Sequence, residues 1–564
     1  MRRRADKDGS DILLIDTGDR VEGNGLYDGS EPKGEYYFDV LEKQQIDLIC
    51  SGNHELYQAN SSKNEFYKTV PAYKNNYIAS NLDIYNPETN KLEPLAPRFR
   101  KLTTKNQGIR IIAFGFLFDF TGNANNTVVT PVETTIKQDW FQQAIRDRDV
   151  DLIVVFGHVA IRSKEYDAIF KEIRSVQWDT PIAILGGHSH IRDFKTYDKK
   201  AAAIESGRYF ETVGFFSIDG LSTPKNKDRV SVAAPKFSRR YIDNNLFSLY
   251  HHTGLNNQTF PTEAGRNVSK AIHKARKTLK LDDRRGCAPQ TFYVNRAPYP
   301  SNNSIFTWLE KEVLPTQLSK DARVAKEGKL ALGLTNTGAM RFDIFKGPFT
   351  RDTEFLVSPF ISGFNYLPDV PWSAASRVLP MLNNEGPVLD HMQRLGLGQW
   401  LLVPPEQISG RAGLSQPGEH ADGAGRQAPL VAGSAADGQQ RPLGAAGVQT
   451  GRDNGGPALS LTPGYTTSDD LGTDGDDTLH DKVAFFNVPN CIQASVGFVL
   501  GEPPEKVDLV YNQFMEPWVL TAMTYLGVKV GKEDVRPWLG GQSVTEIIRT
   551  WVEENWASKA KTCS

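Results

Sequence analysis

A chain of 564 residues is long enough for two or three domains. Its net charge of −2 excludes a generally basic surface for nucleic acid or acidic membranes, and 39% hydrophobic residues is the balance of a globular protein. No apolar run approaches the roughly 18–20 residues that cross a bilayer, so no transmembrane segment is expected.

The N-terminal MRRRADKDGS carries charge without the apolar core of a signal peptide, and a buried-strand pattern begins by residue 12. So abrupt a start is expected of a domain that lacks its true beginning. Asp11–Asp16 (DILLID) is that first strand, and it runs into Gly18-Asp19. Tyr36–Gln45 has helical spacing, and Ile46–Cys50 (IDLIC) is a strand running into Gly52-Asn53-His54-Glu55. Ile109–Phe116 is a further apolar strand. Trp140–Arg148 reads as a helix before Leu152–Phe156 (LIVVF), which runs into Gly157-His158. Ile182–Leu185 (IAIL) runs into Gly187-His188-Ser189-His190. This alternation predicts an α/β domain over residues 1–221, with the sheet faces covered.

Residues 222–236 are polar and turn-rich, and Asn267–Leu281 has helical spacing with a basic face that reads as solvated surface. Residues 222–281 are therefore expected to link two domains. The second domain is expected over 282–564. It holds a helix at Ile305–Val313, a strand at Lys329–Leu334, a Gly-, Phe- and Pro-rich stretch Asn336–Asn365, and a closing helix at Val544–Trp556. Inside it, residues 409–458 contain no Phe, Tyr, Trp, Ile, Met or Lys. Such a segment cannot bury enough apolar surface to offset its ordering entropy, which predicts disorder. A linker insertion and a translated intron both fit its composition. Ordered-domain composition returns at Asp481–Leu500.

The four cysteines, Cys50, Cys287, Cys491 and Cys563, form no C-x-x-C and suggest neither a thiolate zinc site nor a dense disulfide framework. Asn-x-Ser/Thr sequons begin at Asn60, Asn125, Asn257, Asn267 and Asn302. That number favours the secretory route, with a vacuolar or extracellular destination.

The chemistry lies in the four strand-end blocks. Asp, Asn and His supply the oxygen and imidazole donors that suit Zn²⁺, Mn²⁺ or Fe. Their positions after strands put them at the carboxyl edge of a sheet, where open α/β sheets bind ligands. Two divalent metals about 3.5–4 Å apart would clamp a phosphate and generate hydroxide at neutral pH. Asp19 is the natural bridge, since one carboxylate can bind two cations. Asn53, His158 and His188 then suit one metal and His190 the other. His54 is left for the transition state or for protonating the leaving oxygen.

These blocks, in this order, resemble the calcineurin-like metallophosphoesterases. In the second half, Asn336-Thr-Gly-Ala-Met-Arg341 followed by Pro359-Phe360 resembles the Asn-Gly-Gly-x-Ile-Arg … Pro-Phe pattern of the 5′-nucleotidase C-terminal domain. The chain is thus similar to the 5′-nucleotidase / 2′,3′-cyclic phosphodiesterase family, and especially to its fungal branch. The resemblance implies a four-layer α/β/β/α metallophosphoesterase domain with two metals and an α/β C-terminal substrate domain. It implies that Asn336 and Arg341 hold a nucleotide, that Phe360 stacks on the base, and that Asp476, in a turn like the family's Gly-Gly-Asp, binds ribose hydroxyls.

Four positions depart from the family pattern. No Asp-x-His block stands in the residues before Asp19; Tyr57 occupies the place of the Asp three residues after the catalytic His; Asp470 falls where a second stacking aromatic is expected; and Ile-Ser-Gly follows Phe360. The expected function is metal-dependent hydrolysis of a phosphoester, with phosphate released from nucleotides by metal-bound hydroxide. A phosphodiesterase, a broader phosphatase and an inactive or truncated chain are the alternatives.

Overall fold

The structure is a computed structural model that describes residues 1–221, 234–384, 386–395, 397–398, 401–407, 461–462, 467–472, 475–480, 483–498, 503–557 and 563. Residues 409–458, expected to be disordered, lie outside the described residues. The chain divides into two compact units. One comprises Met1–Val21, Tyr37–Ala271 and Thr462–Lys482; the other comprises Glu22–Tyr36, Ile272–Leu461 and Val483–Ser564.

In the first unit the strands that frame the site are β1 (Ile15–Asp16), β2 (Leu48–Ile49), β3 (Phe99–Thr103), β4 (Arg110–Leu117), β5 (Leu152–His158), β6 (Ile182–Gly186), β7 (Arg192–Asp198), β8 (Ala201–Ser206), β9 (Thr212–Asp219) and β10 (Lys236–Asp243). Seven strands form the main sheet, in the order Thr467–Asp469, β7, β8, β6, β5, β4, β3. The centre is parallel: β4 with β5, β5 with β6, and β6 with β8. β1 and β2 form a separate parallel pair.

Alternation along the strands builds the layers. Ile112, Phe114, Phe116, Ile153 and Val155 face helices, among them Lys164–Val176, which inserts Tyr166, Ile169 and Ile173. That helix starts where Ser163 accepts a hydrogen bond from the Tyr166 N–H, a side-chain cap. On the other sheet face, Ile111, Ala113, Val154 and Phe156 meet Leu48 and Cys50 of the β1–β2 pair. Ile49, between those two, points away and packs with Tyr73, Tyr77 and Leu41 under a second helical layer. The order is therefore helix, sheet, sheet, helix. Each fully buried Ile, Leu or Phe contributes about 1.5–3 kcal/mol, which fixes the two sheets face to face.

The stretch read as a linker departs from that expectation. β10 pairs antiparallel with β9 along its whole length, and helix Leu246–Thr253 follows, so the first unit extends to Ala271. A helix at Glu263–Thr278 then carries the basic face foreseen there. Thr462–Lys482, expected inside the second domain, belongs to the first unit.

The second unit is built on β11 (Ala331–Asn336), β12 (Gly363–Pro371), β13 (Cys491–Val496), β14 (Lys506–Asn512) and β15 (Arg536–Ser543), ordered β13-β11-β14-β12-β15. Helices Trp372–Asn383 and Glu516–Tyr525 cover one face through Ala375, Val378, Trp518 and Met523. Helix Val544–Asn555 and the helical stretch from Ile305 cover the other through Trp308, Ile547, Trp551 and Trp556. A single disulfide, Cys287–Cys563, lies in this unit, while Cys50 and Cys491 are buried free thiols.

Candidate active site

Parallel pairing decides where the ligand blocks fall. β5 and β6 are neighbours that run the same way, so His158, the last residue of β5, and His188, just past β6, emerge at one sheet edge. β1 and β2 likewise end together and deliver Asp19 and the 52–55 block. Close approach there demands glycine. A Cβ on Gly18, whose φ is +92°, would strike the Gly52 backbone, and one on Gly52 would strike the Asp19 carboxylate. Three of the expected ligands, Asp19, His188 and His190, have left-handed φ of 60°, 75° and 62°. Such backbone costs on the order of 1–3 kcal/mol per residue and concentrates at functional sites.

Asp19, His158 and His188 bring ligand atoms within 4.8 Å of one another. His158 Nε2 lies 2.9 Å from Asp19 Oδ2, and His188 Nδ1 lies 3.3 Å from His158 Nε2. His158 Nδ1 contacts the Thr17 carbonyl at 3.0 Å. With the proton on Nδ1, donated to that carbonyl, Nε2 keeps a lone pair directed at the cluster, the arrangement usual for a metal-binding imidazole. Phe118 stacks on the His188 ring at 4.2 Å and limits its rotation. Asn53 is buried, its NH₂ donates to the Tyr57 hydroxyl at 3.1 Å, and its Oδ1 has no hydrogen-bond partner among the described residues. A buried amide oxygen without a donor is costly unless a cation meets it. The donor set, one carboxylate, two imidazoles and an amide oxygen, fits a divalent metal of Zn, Mn or Fe type.

The His54 backbone N–H donates to Asp19 Oδ1 at 3.0 Å, and its ring Nε2 is 3.8 Å from Asp19 Oδ2. Tyr57, standing where the family pattern has Asp, holds the His54 ring edge-on at 5.1 Å. Burial works to raise the Asp19 carboxyl, but the adjoining His158 and His54 side chains hold it well below the ordinary range, so it is a carboxylate. His190 is not among the three clustered ligands; its ring stands edge-on to Tyr209 at 5.4 Å.

Two supports escaped the sequence reading. Glu55 is fully buried and accepts the backbone N–H groups of Asp19, Arg20 and Gly52 at 3.0, 2.6 and 2.7 Å. The Arg20 side chain is buried and pairs with Asp16 and Glu65, both at 2.8 Å. Arg20 adjoins the expected ligand Asp19 and Glu55 adjoins His54, and that adjacency was the available signal.

The four residues expected to bind nucleotide do not share one unit. Asn336, Arg341 and Phe360 belong to the second unit. Asn336 ends β11 with its Oδ1 buried and without a partner among the described residues, and the Arg341 guanidinium lies 5.0 Å over the Phe360 ring. Asp476 belongs to the first unit, where it pairs with buried Arg192 at 3.0 Å. Asp470, the position of the missing second aromatic, is there as well and pairs with Arg162 at 2.8 Å. The Gly-Asp turn that suggested a ribose contact also suits a sheet-edge ion pair.

Residues 2–192 match the calcineurin-like phosphoesterase family, and residues 291–520 match the NAD nucleotidase C-terminal domain. The crystal structure of 5′-nucleotidase from Candida albicans SC5314 superposes with a TM-score of 0.79 at 34% identity, covering 98% of this chain and 91% of that one. An uncharacterized protein of Schizosaccharomyces pombe is 36% identical over 544 residues, 93% of this chain and 79% of its own length. A protein of Arthroderma benhamiae named "Secreted protein" is 32% identical over 600 residues, covering 100% of this chain and 86% of its own length. Fold and site thus define a phosphoester hydrolase of the calcineurin-like class. Within that class the chain belongs to the two-domain 5′-nucleotidase family, alongside fungal relatives.

Proposed function

We propose that the protein is a metal-dependent phosphohydrolase that releases phosphate from nucleoside monophosphates. The observation that carries this is the Asp19–His158–His188 cluster beside the unsatisfied Asn53 oxygen. These four residues would hold one divalent ion, and Asp19 and His190 would contribute to a second. A divalent ion supplies Lewis acidity, drawing charge from phosphoryl oxygens and making water acidic enough to attack near neutral pH.

The chain's own residues do the rest. Asp19 stays ionised and presents its carboxylate to positive charge. Thr17 keeps the His158 proton on Nδ1. His54, steadied by Tyr57, gives a proton to the departing ester oxygen. In the second unit, Arg341 offers its fork to anionic oxygens, and Phe360, whose ring it lies over, is the aromatic that would stack on a base.

The secretory route is part of the same reading. All five sequon asparagines are exposed, a disulfide is present, and one relative is named as secreted. Among the described residues no helix is long and apolar enough to cross a membrane.

The test is phosphate release from AMP by the full chain with Mn²⁺ or Zn²⁺, beside a cyclic nucleotide and a sugar phosphate. Chelation, His158→Ala and His188→Ala should each abolish turnover. Activity that persists through all three refutes the metal mechanism; preference for the cyclic diester or for sugar phosphate replaces the nucleotidase reading.

A further inference from the structure

Residues 467–472 and 475–480 return from the far end of the chain to the first unit and dock beside the metal-ligand loop. Thr467–Asp469 adds a parallel edge strand to β7, with Arg192 opposite Thr467. The docking is held by carboxylates of the segment, each meeting a basic side chain of the first unit. Asp469 takes a two-point contact from Arg239 at 2.7 and 3.0 Å and a hydrogen bond from the Tyr241 hydroxyl at 2.8 Å. Asp470 accepts from Arg162, whose guanidinium also grips Asp193 at 2.7 and 2.8 Å. Asp476 meets Arg192, which is 2% exposed. Asp477 accepts from His252 at 3.0 Å.

Arg192 and Asp193 open β7 two and three residues past His190, and Arg162 follows His158 by four residues. The ion pairs therefore grip the strand into which one ligand turn runs and the loop that leaves the other. Both histidines of that turn have left-handed backbone, a conformation that persists only where the surroundings over-determine it.

Resting on the metal-site reading above, we propose that residues 467–472 and 475–480 form a clasp that sets the His188–His190 turn, with Asp476 a positioning residue acting through Arg192. This gives Asp476 a role toward the metal rather than toward ribose. Removing the carboxylate takes a 3.0 Å ion pair from a guanidinium that is 2% exposed, and Asp243 stands at 4.0 Å. Outer supports of metal ligands are worth about 10–100-fold in metal affinity, and the lower end suits a residue acting through a neighbour.

The experiment titrates Co²⁺ alone into the full chain, read by the absorption bands of the bound ion, for wild type, Asp476→Asn and Asp476→Glu. Asp476→Asn should weaken Co²⁺ about tenfold, Asp476→Glu should recover part of the loss, and KM for AMP at saturating metal should stay at the wild-type value. Wild-type Co²⁺ affinity in Asp476→Asn overturns the proposal, and a raised KM alongside it assigns Asp476 to substrate. If Asp476→Asn does not fold, Asp470→Asn, at the more exposed end of the clasp, must still weaken Co²⁺; unchanged affinity there also overturns it. Because Co²⁺ binding is read without nucleotide, failure of the nucleotidase reading leaves this test intact.

Discussion

Glu55 is the residue whose loss should disturb the metal loop most. Its carboxylate is fully buried and is the acceptor for three backbone N–H groups, those of Asp19, Arg20 and Gly52. Glu55→Ala strands all three, and a buried donor without an acceptor costs about 1–3 kcal/mol. The sum is on the order of 3–9 kcal/mol, toward the lower end because water entering the vacated space can serve one of them. Glu55→Gln is the sharper probe. Asp19 and Gly52 both donate to Oε2, and Arg20 donates to Oε1. An amide can keep its carbonyl oxygen on the first two and must then turn its NH₂ against the Arg20 N–H. One contact is lost, at about 1–3 kcal/mol. Urea denaturation followed by far-ultraviolet circular dichroism should rank the proteins wild type, Gln, Ala. Co²⁺ affinity should fall in the same order, since the Asp19 backbone loses its anchor. An Ala variant as stable as the Gln variant, or one that binds Co²⁺ like wild type, refutes the reasoning.

Burial pushes the Asp28 carboxyl up to about 6, although Lys33 lies 2.9 Å away and opposes the shift. The folded protein therefore holds this proton more tightly than the unfolded chain. The stability it contributes is full below about 3.8 and is lost as pH rises through about 6. That is on the order of 3 kcal/mol. Urea midpoints measured between about pH 4 and 6 should fall less steeply in Asp28→Asn than in wild type, and equal slopes count against the assignment. The Cys287–Cys563 bridge spans 276 residues of sequence, so reduction or Cys287→Ser should cost about 2–4 kcal/mol. A thermal midpoint that does not move with reductant contradicts this.

The strand-end ligand blocks were legible because buried parallel strands are continuous apolar runs, and because close strand ends need glycine before the ligand. Asp19, Asn53, His158 and His188 each follow such a run within a few residues. Glu55 shows what a local pattern conceals: its partners Asp19 and Arg20 lie 36 and 35 residues away in sequence, and nothing near Glu55 announces them. β10 (KFSRRYID) was hidden because only Tyr241 and Ile242 in it are fully buried, so no two-residue period emerges. The edge strand Thr467–Asp469 is three residues long and pairs with residues some 275 positions earlier, too short for any periodicity. Asp476 fell between two readings because a Gly-Asp turn looks the same before ribose and before arginine; only the fold supplies Arg192.

The returning segment also bears on the order in which the protein is made. A ribosome releases Arg162, Arg192 and Arg239 hundreds of residues before it releases Asp469, Asp470 and Asp476. Through that interval the newborn sheet carries an open flank at β7, and its three guanidinium groups await these partners. The N-terminal unit thus reaches its finished state only after most of the C-terminal unit has been synthesised. Cutting the gene at residue 281 to isolate a catalytic domain would remove the last strand of the catalytic sheet.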